Sequence, residues 1–285
     1  MVYDAEDRPE PDQLRKAVKR FREAPPETAC LQARLSIDNA DDSWIARMFA
    51  LDYAVWFKAL LPGLDSLGVP MPLGGTSNHF RTSILRAVGG WDPFNVTEDA
   101  DLGIRLAQLG YGISMLDSTT FEEAPVRLGS WLKQRSRWLK GYMQTWLVHM
   151  RDPAALTRRV GWRGVLAMQL FLGGAVWSAL FNPVLWLVFV VSCVCLRSHG
   201  DLRAVEMLAR ISGLGLLAAN VLLSGLAISG ARRKMVLVWC ALCFTFYWVL
   251  ISVAAYRGLW QLVFKPFYWE KTAHGQGRSH DIPGS

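Results

Sequence analysis

Two short segments, Thr97-Glu98-Asp99 and Gln134-Arg135-Ser136-Arg137-Trp138, followed by a long apolar C-terminal half, decide how this sequence is interpreted. The first predicts a helix start, because Thr97 is a good N-cap and Gly110 stands where such a helix ends. The second lies in a predicted helix over residues 128–148, where cationic and apolar side chains are mixed. The sequence therefore predicts an α/β segment in which an acidic helix start precedes a cationic, aromatic helix.

The composition predicts a membrane protein with two parts. Of its 285 residues, 52% are hydrophobic and 13 are tryptophan, more than an ordinary soluble domain carries. Most charges lie in residues 1–162, which predicts a globular part. Long apolar runs then occupy residues 164–196, 207–230 and 235–256.

The net charge of +7 does not predict a nucleic-acid partner. The cationic residues are scattered, and several, such as Arg158, stand beside apolar runs, as expected where helices meet lipid headgroups. Membrane lipid is the expected partner instead. Cys193 with Cys195, and Cys240 with Cys243, have ligand-like spacings but lie inside apolar runs. They are predicted to be packing residues, so neither a metal site nor a disulfide is expected there.

The N-terminal residues predict a strand, an acidic turn and a helix. Val2-Tyr3 leads into Asp4-Ala5-Glu6-Asp7, and a helix is expected over residues 12–23. Acidic residues at the carboxyl edge of a strand can hold a hard divalent cation, although a solvated turn before a helix has the same composition. A strand is expected over 29–36 and a helix over 43–61. The small residues of 72–78 allow the backbone to pass close to a ligand.

The two motifs carry groups of opposite charge, each with two interpretations. Asp99 could accept the proton of an attacking hydroxyl, but acids in a first helical turn also complement the helix dipole. Arg135 or Arg137 could neutralise a departing diphosphate, and Trp138 offers a flat face on which a sugar ring stacks. A basic amphipathic interface helix has the same pattern. Neither segment alone decides between the interpretations.

Together, the two motifs resemble the signature of the processive, membrane-embedded family 2 glycosyltransferases, which include cellulose, hyaluronan and β-glucan synthases. The resemblance implies fold class α/β: the C-terminal part of a GT-A, Rossmann-like glycosyltransferase domain followed by an α-helical transmembrane bundle. It further implies an inverting hexosyltransferase that extends a β-linked polysaccharide from a nucleotide sugar, most simply a UDP-sugar. The implied partners are that nucleotide sugar, a glycan acceptor and lipid.

The resemblance also implies roles for individual residues. Asp99 matches the general base. Asp4 and Glu6 match the ligands of Mg²⁺ or Mn²⁺, although the family usually has Asp at the second position. The residues matched to substrate binding are Glu98, Gln134, Arg135, Arg137, Trp138 and, in a C-terminal segment resembling the gating loop of cellulose synthases, Thr272. An interface anchor is the alternative for that last segment.

The expected organisation is a partial GT-A domain at 1–150, an interface linker at 151–163, about four transmembrane helices and an interface helix at 164–264, and a cytoplasmic tail at 265–285. Asn182-Pro183 predicts a hairpin inside 164–196, and residues 256–264 predict the interface helix. Four spans return the tail to the catalytic side, whereas three place it outside. No signal peptide is recognised, so a multi-pass protein of the bacterial inner membrane with a cytoplasmic catalytic part is expected.

The acidic turn begins at residue 4, whereas a GT-A domain normally places a nucleotide-binding half before it. The sequence is therefore expected to be an incomplete chain that is inactive alone. Single-sugar transfer to a lipid carrier is the alternative within the same class. A non-catalytic membrane subunit or permease is the alternative from another class, and it predicts charges inside the apolar runs, where only Arg210 lies.

Overall fold

The computed structural model describes residues 1–195, scattered positions between 207 and 225, and residues 243–268. A four-stranded mixed sheet has the order β1-β4-β2-β3. Its strands are β1 (Arg8–Pro9), β2 (Thr28–Ile37), β3 (Asn78–Phe80) and β4 (Gly112–Glu122). The central pair, β2 and β4, is parallel, and the two outer pairs are antiparallel.

The predicted strand over 29–36 is confirmed as β2, whose first six residues are all buried. The predicted Val2-Tyr3 strand is wrong, because Val2 forms only an isolated bridge with Asn78 at the sheet edge. A single bridge leaves the chain free to turn at once into the acidic segment. That segment therefore follows an edge contact rather than a regular strand.

The helices flank this sheet and continue beyond it. They are α1 (Gln13–Glu23), α2 (Trp44–Val55), α3 (Leu61–Leu67), α4 (Thr82–Ala87), α5 (Glu98–Gln108), α6 (Leu128–His149), α7 (Pro153–Met168), α8 (Gly174–Cys195) and α9 (Phe244–Phe264). A π-helical stretch, Trp56–Leu60, joins α2 to α3, and another, Gln169–Gly173, joins α7 to α8. The predicted helices at 12–23 and 128–148 and the one beginning at Thr97 are confirmed.

Local capping explains the start of α2 but not that of α5. Ser43 Oγ accepts from the Ala46 amide at 3.0 Å, which satisfies a free N–H at the start of α2. Thr97 precedes α5 but makes no side-chain cap. Its side chain instead lies against Gly141 of α6, where an added Cβ would overlap it. The predicted N-cap position of Thr97 is confirmed, but its side chain packs against α6 and does not form the capping hydrogen bond.

The main core joins the sheet to the apolar helices. One cluster of buried residues takes members from α2, α6, α8 and α9, among them Phe49, Trp131, Ala179 and Tyr247. Gly258 of α9 lies so close to α6 that an added Cβ would be 2.8 Å from the Ser136 carbonyl oxygen. The part of α9 that the structure describes thus packs directly on the helix carrying the cationic motif.

The apolar half differs from expectation at two places. Helix α8 continues through Pro183, so the hairpin predicted at Asn182-Pro183 is wrong. The interface helix predicted at 256–264 is the last part of α9, because no helix breaker separates it from residue 244 and Gly258 fits against α6. In the described part of the chain, one helical stretch, Pro153–Val191, is long and apolar enough to cross a membrane.

Most of the predicted span 207–230 lies outside the described residues, as does Thr272, whereas the second half of the predicted span 235–254 lies in α9. The expected span count stays a prediction.

Candidate active site

Helices α5 and α6 bring the two sequence motifs into contact. The Asn95 side-chain amide donates to Thr145 Oγ1 at 2.8 Å, and the Val96 amide donates to Gln144 Oε1 at 3.3 Å. These bonds lie beside the contact between Thr97 and Gly141. The segment entering α5 is therefore fixed to α6, and the acidic helix start lies beside the cationic helix.

Asp99 lies in the first turn of α5 with its two oxygens in different surroundings. Trp91 Nε1 donates to Asp99 Oδ1 at 2.7 Å. Asp99 Oδ2 points towards the 72–78 loop, where a Cβ added to Gly75 would lie 3.5 Å from it. Burial, with the charge of Glu98 second, raises the pKa of Asp99 to about 7. A carboxyl with that pKa can take up and release a proton near neutral pH.

The acidic turn is bound to the same loop. The Asp4 amide donates to Asp7 Oδ2 at 3.0 Å and to Thr76 Oγ1 at 3.2 Å. The Thr76 hydroxyl in turn donates to Asp7 Oδ2. Since Gly75 lies beside Asp99 and Thr76 binds the turn, the loop places the base candidate and the acidic turn side by side.

Glu122, at the carboxyl end of β4, is a candidate that the sequence reasoning missed. Its Oε1 is buried and has no hydrogen-bond partner, and the Tyr53 hydroxyl bonds to its carboxyl group. Burial, followed by the charges of Asp7, Asp4 and Glu6, raises the pKa of Glu122 to about 8. The signal available in the sequence was Phe121-Glu122-Glu123 before a proline, but β4 itself was not predicted.

The acidic residues have the oxygen donors that a divalent cation prefers. No group of three His, Cys, Asp or Glu side chains that could hold a metal occurs in the part of the chain that the structure describes. Asp7 Oδ1 and Glu122 Oε1 are nevertheless buried without hydrogen-bond partners, which is costly unless a cation or water satisfies them. Magnesium is commonly held by one or two carboxylates together with substrate phosphates, so a closed protein cage is not needed.

The metal ligands expected from the sequence, Asp4 and Glu6, lie in this acidic turn. Their charges raise the pKa of the buried Glu122, after burial itself and the charge of Asp7. The turn is thus a place of concentrated negative charge. Asp7, which follows them in the sequence, accepts from the Asp4 amide and from the Thr76 hydroxyl.

Arg135 lies in the core between α2, α6 and α9. It forms an ion pair with Asp52 and donates to the Tyr247 hydroxyl at 3.2 Å. Its guanidinium also lies 4.7 Å from the Phe49 ring centre and 4.9 Å from that of Trp138. These contacts hold the guanidinium inside the protein, and diphosphate binding by Arg135 remains a prediction.

The other residues of the cationic motif have different surroundings. Trp138 is half-buried, with its ring centre 5.8 Å from that of Phe49 and 6.2 Å from that of Tyr53. Gln134 is buried, and its Oε1 has no hydrogen-bond partner. Arg137 and Glu98 are half-buried. The structure therefore keeps part of Trp138, Arg137 and Glu98 accessible, while their substrate contacts stay predictions.

Comparison with known proteins places this arrangement in a class. The mannosyltransferase PcManGT from Pyrobaculum calidifontis, solved in complex with GDP-Man and Mn²⁺, superposes with a TM-score of 0.52 over 92% of this chain and 61% of its own, at 16% identity. The fold is thus a GT-A-like glycosyltransferase fold with a mixed sheet. The sequence model described as glycosyl transferase family group 2 matches residues 1–252, and the chain belongs to that family.

Individual relatives cover smaller parts of the chain. It is 32% identical over 141 residues to the probable glucomannan 4-beta-mannosyltransferase 1 of Arabidopsis thaliana, which is 49% of this chain and 25% of that protein. It is 36% identical over 88 residues to the probable glycosyltransferase YdaM of Bacillus subtilis, which is 30% of this chain and 18% of that protein. The chain thus matches about a quarter or less of the length of these relatives.

Proposed function

We propose that this protein is a hexosyltransferase that moves a sugar, with inversion at the anomeric carbon, from a nucleotide diphosphate sugar to a β-linked glycan. The observation that carries the proposal is the position of Asp99. One of its oxygens is held by Trp91, and the other lies beside a loop that is bonded to the acidic turn. Direct displacement of the diphosphate by an acceptor hydroxyl requires a base next to a site that suits a metal ion and a diphosphate.

In the proposed reaction, Asp99 Oδ2 takes the proton of the acceptor hydroxyl. The hydroxyl oxygen forms a bond to the anomeric carbon, the bond from that carbon to the diphosphate oxygen breaks, and the diphosphate leaves with the electron pair. Asp4 and Glu6, with Asp7 beside them, would hold Mg²⁺ or Mn²⁺. When bound, the ion neutralises charge on the diphosphate. Arg137 and Trp138 are proposed to contact the diphosphate and the acceptor sugar.

The donor is proposed to be either a UDP-sugar, as the sequence resemblance implies, or a mannosyl nucleotide. The Arabidopsis relative is named as a probable glucomannan 4-beta-mannosyltransferase, which supports the second donor. Both donors share the diphosphate that the acidic turn suits. They differ in the base and the sugar, so a direct comparison of the two separates them.

The site is proposed to work at a membrane, as in a processive polysaccharide synthase of the bacterial inner membrane. Helices α8 and α9 expose large apolar side chains over their outer faces, such as Leu187, which is 64% exposed, and Phe246, which is 71% exposed. Exposed apolar surface of this kind suits lipid tails better than water. Transfer of a single sugar to a lipid carrier would use the same surface and remains the second candidate.

Sugar incorporation measured with labelled donors tests this function. Membranes containing the intact enzyme, with this chain expressed alone as a comparison that is expected to give no product, would receive GDP-mannose or UDP-glucose with Mn²⁺, with and without a chelator. We expect glycan product from one donor, lost on chelation and sensitive to a β-specific glycosidase. Label found only in a lipid-extractable product would favour the lipid carrier. Metal-independent transfer, or an α-linked product, would contradict the proposal.

A further inference from the structure

Lys140 is a buried cation whose partners are backbone carbonyl groups. It lies on α6 two residues after Trp138 and is only 1% exposed. Its Nζ donates to the carbonyl oxygens of Lys265 and Tyr268, both at 2.9 Å. Among the residues that the structure describes, Lys140 forms no ion pair with a carboxylate.

Those two carbonyl groups belong to the turn that follows α9, residues 265–268. The Tyr268 amide donates to the Lys265 carbonyl at 3.1 Å, which closes this turn. A backbone carbonyl oxygen has two lone pairs, so the Lys265 carbonyl can accept from the ammonium as well as from the Tyr268 amide, and the Tyr268 carbonyl lies past the end of α9, where the ammonium can serve as its donor. A buried ammonium is costly without such bonds. Lys140 and the turn therefore stabilise each other's positions.

Two neighbouring contacts determine where along α6 the turn binds. Gly258 lets the backbone of α9 approach that of α6, beside Ser136 and Lys140. Gln144, one helical turn beyond Lys140, donates to the Pro266 carbonyl at 3.5 Å. The next residue after Lys140 is Gly141, which contacts Thr97 before the base helix. Adjacent residues of α6 thus touch the turn after α9 and the segment that carries Asp99.

We propose that Lys140 is a positioning residue that holds the 265–268 turn on α6, so that the end of α9 and the site around Asp99 keep a fixed relation. It contacts no reacting group. Its effect on transfer rests on the proposed function, whereas its effect on the turn does not. Tyr268, the last residue of this turn, is thereby held at a fixed position beside the cationic motif.

Hydrogen exchange at the amides of Lys265 and Tyr268, which donate to the Gln261 and Lys265 carbonyls, tests the positioning directly. In Lys140→Met we expect exchange at least about tenfold faster, because one charge-assisted hydrogen bond alone accounts for such a factor and the variant loses two. Lys133→Met, an exposed lysine on the same helix, is the matched control and should leave exchange unchanged. Unchanged exchange in Lys140→Met would overturn the proposal, whether or not the protein transfers sugar.

Activity tests the link to the site. We expect kcat/KM for sugar transfer to fall by up to about 10²-fold in Lys140→Met, because small misplacements near a reaction site are costly. Lys140→Arg, which keeps a cation, should recover most of the activity and the slow exchange. Faster exchange with unchanged kcat/KM would show that the turn and the site are not coupled.

A second variant covers the case in which Lys140→Met does not fold. Gly258→Ala keeps the lysine but places a methyl group 2.8 Å from the Ser136 carbonyl oxygen, which forces the end of α9 away from α6. Faster exchange at the same amides is expected there as well. Exchange rates at these amides equal to those of the unchanged protein would contradict the role of the contact between Gly258 and α6.

Discussion

At the scale of single residues, the proton affinity of Asp99 results from opposing neighbours. Burial raises its pKa most, followed by the charge of Glu98, while the hydrogen bond from Trp91 lowers it. Together these effects bring the pKa to about 7. A base must be deprotonated to act, so Trp91 extends the working pH range downwards by favouring the charged carboxylate.

Replacing Trp91 by Phe tests this balance. Loss of the donated hydrogen bond should raise the pKa of Asp99 further, and the acidic limb of the kcat/KM against pH profile should move to higher pH. The measurement is a pH profile of sugar transfer. Trp162→Phe, at a side chain that is 69% exposed, serves as control. An acidic limb that stays in place would show that Trp91 does not tune the base.

At the scale of helices and strands, sequence periodicity predicted α1, β2, α5 and α6, since each has a regular apolar face or a clear start or end. Strand β4 was missed because polar residues such as Asp117, Ser118 and Thr119 interrupt its pattern. With β4 missing, Glu122 could not be placed at a strand end. Pro183 predicted a break in α8, but the helix continues through it.

Sequence patterns could not predict contacts between elements that are far apart in the chain. The residues of the cationic motif could be identified from the sequence. The ion pair between Arg135 and Asp52, however, joins positions 83 residues apart, so no local pattern predicts it. The same is true of Lys140 and the turn after α9, whose residues are more than 120 positions apart. Such partners depend on how the elements pack. A local motif shows which residue types are present, not which of them are used in the core.

The α5–α6 contact makes a prediction at this scale. Gly141→Ala would place a methyl group onto the Thr97 side chain, forcing the two helices apart. We expect a loss of about 1–3 kcal/mol in the free energy of unfolding, as for overpacked sites, and a fall in transfer. Gly129→Ala on the same helix meets nothing within 4 Å and should be neutral or stabilising. Equal stability of the two variants would contradict the close packing.

At the scale of the whole molecule, the α/β part and the apolar helices form a continuous core. Trp131 of α6 donates to the Tyr247 hydroxyl of α9 at 3.1 Å, and both side chains are fully buried. The end of α9 also returns to α6 through Lys140. The chain beyond α9 therefore starts on the side of the protein that carries the candidate site.

This arrangement predicts the side of the membrane on which the C-terminus lies. A reporter that is active only in the periplasm, fused after Ser285, should give no signal, because the turn after α9 is bound to the part proposed to be cytoplasmic. The same reporter fused to an established periplasmic protein gives the positive control. Strong periplasmic activity would place the tail outside and contradict the proposed topology.

The central claim is that Asp99 is the base of a sugar transfer, and Asp99→Asn in the intact enzyme tests it most directly. Transfer from the labelled donor should fall by at least about 10²-fold, while binding of the nucleotide sugar stays nearly unchanged. Asp117→Asn, at a side chain that is 91% exposed, should keep full activity. Transfer by Asp99→Asn at more than half the normal rate would contradict the account.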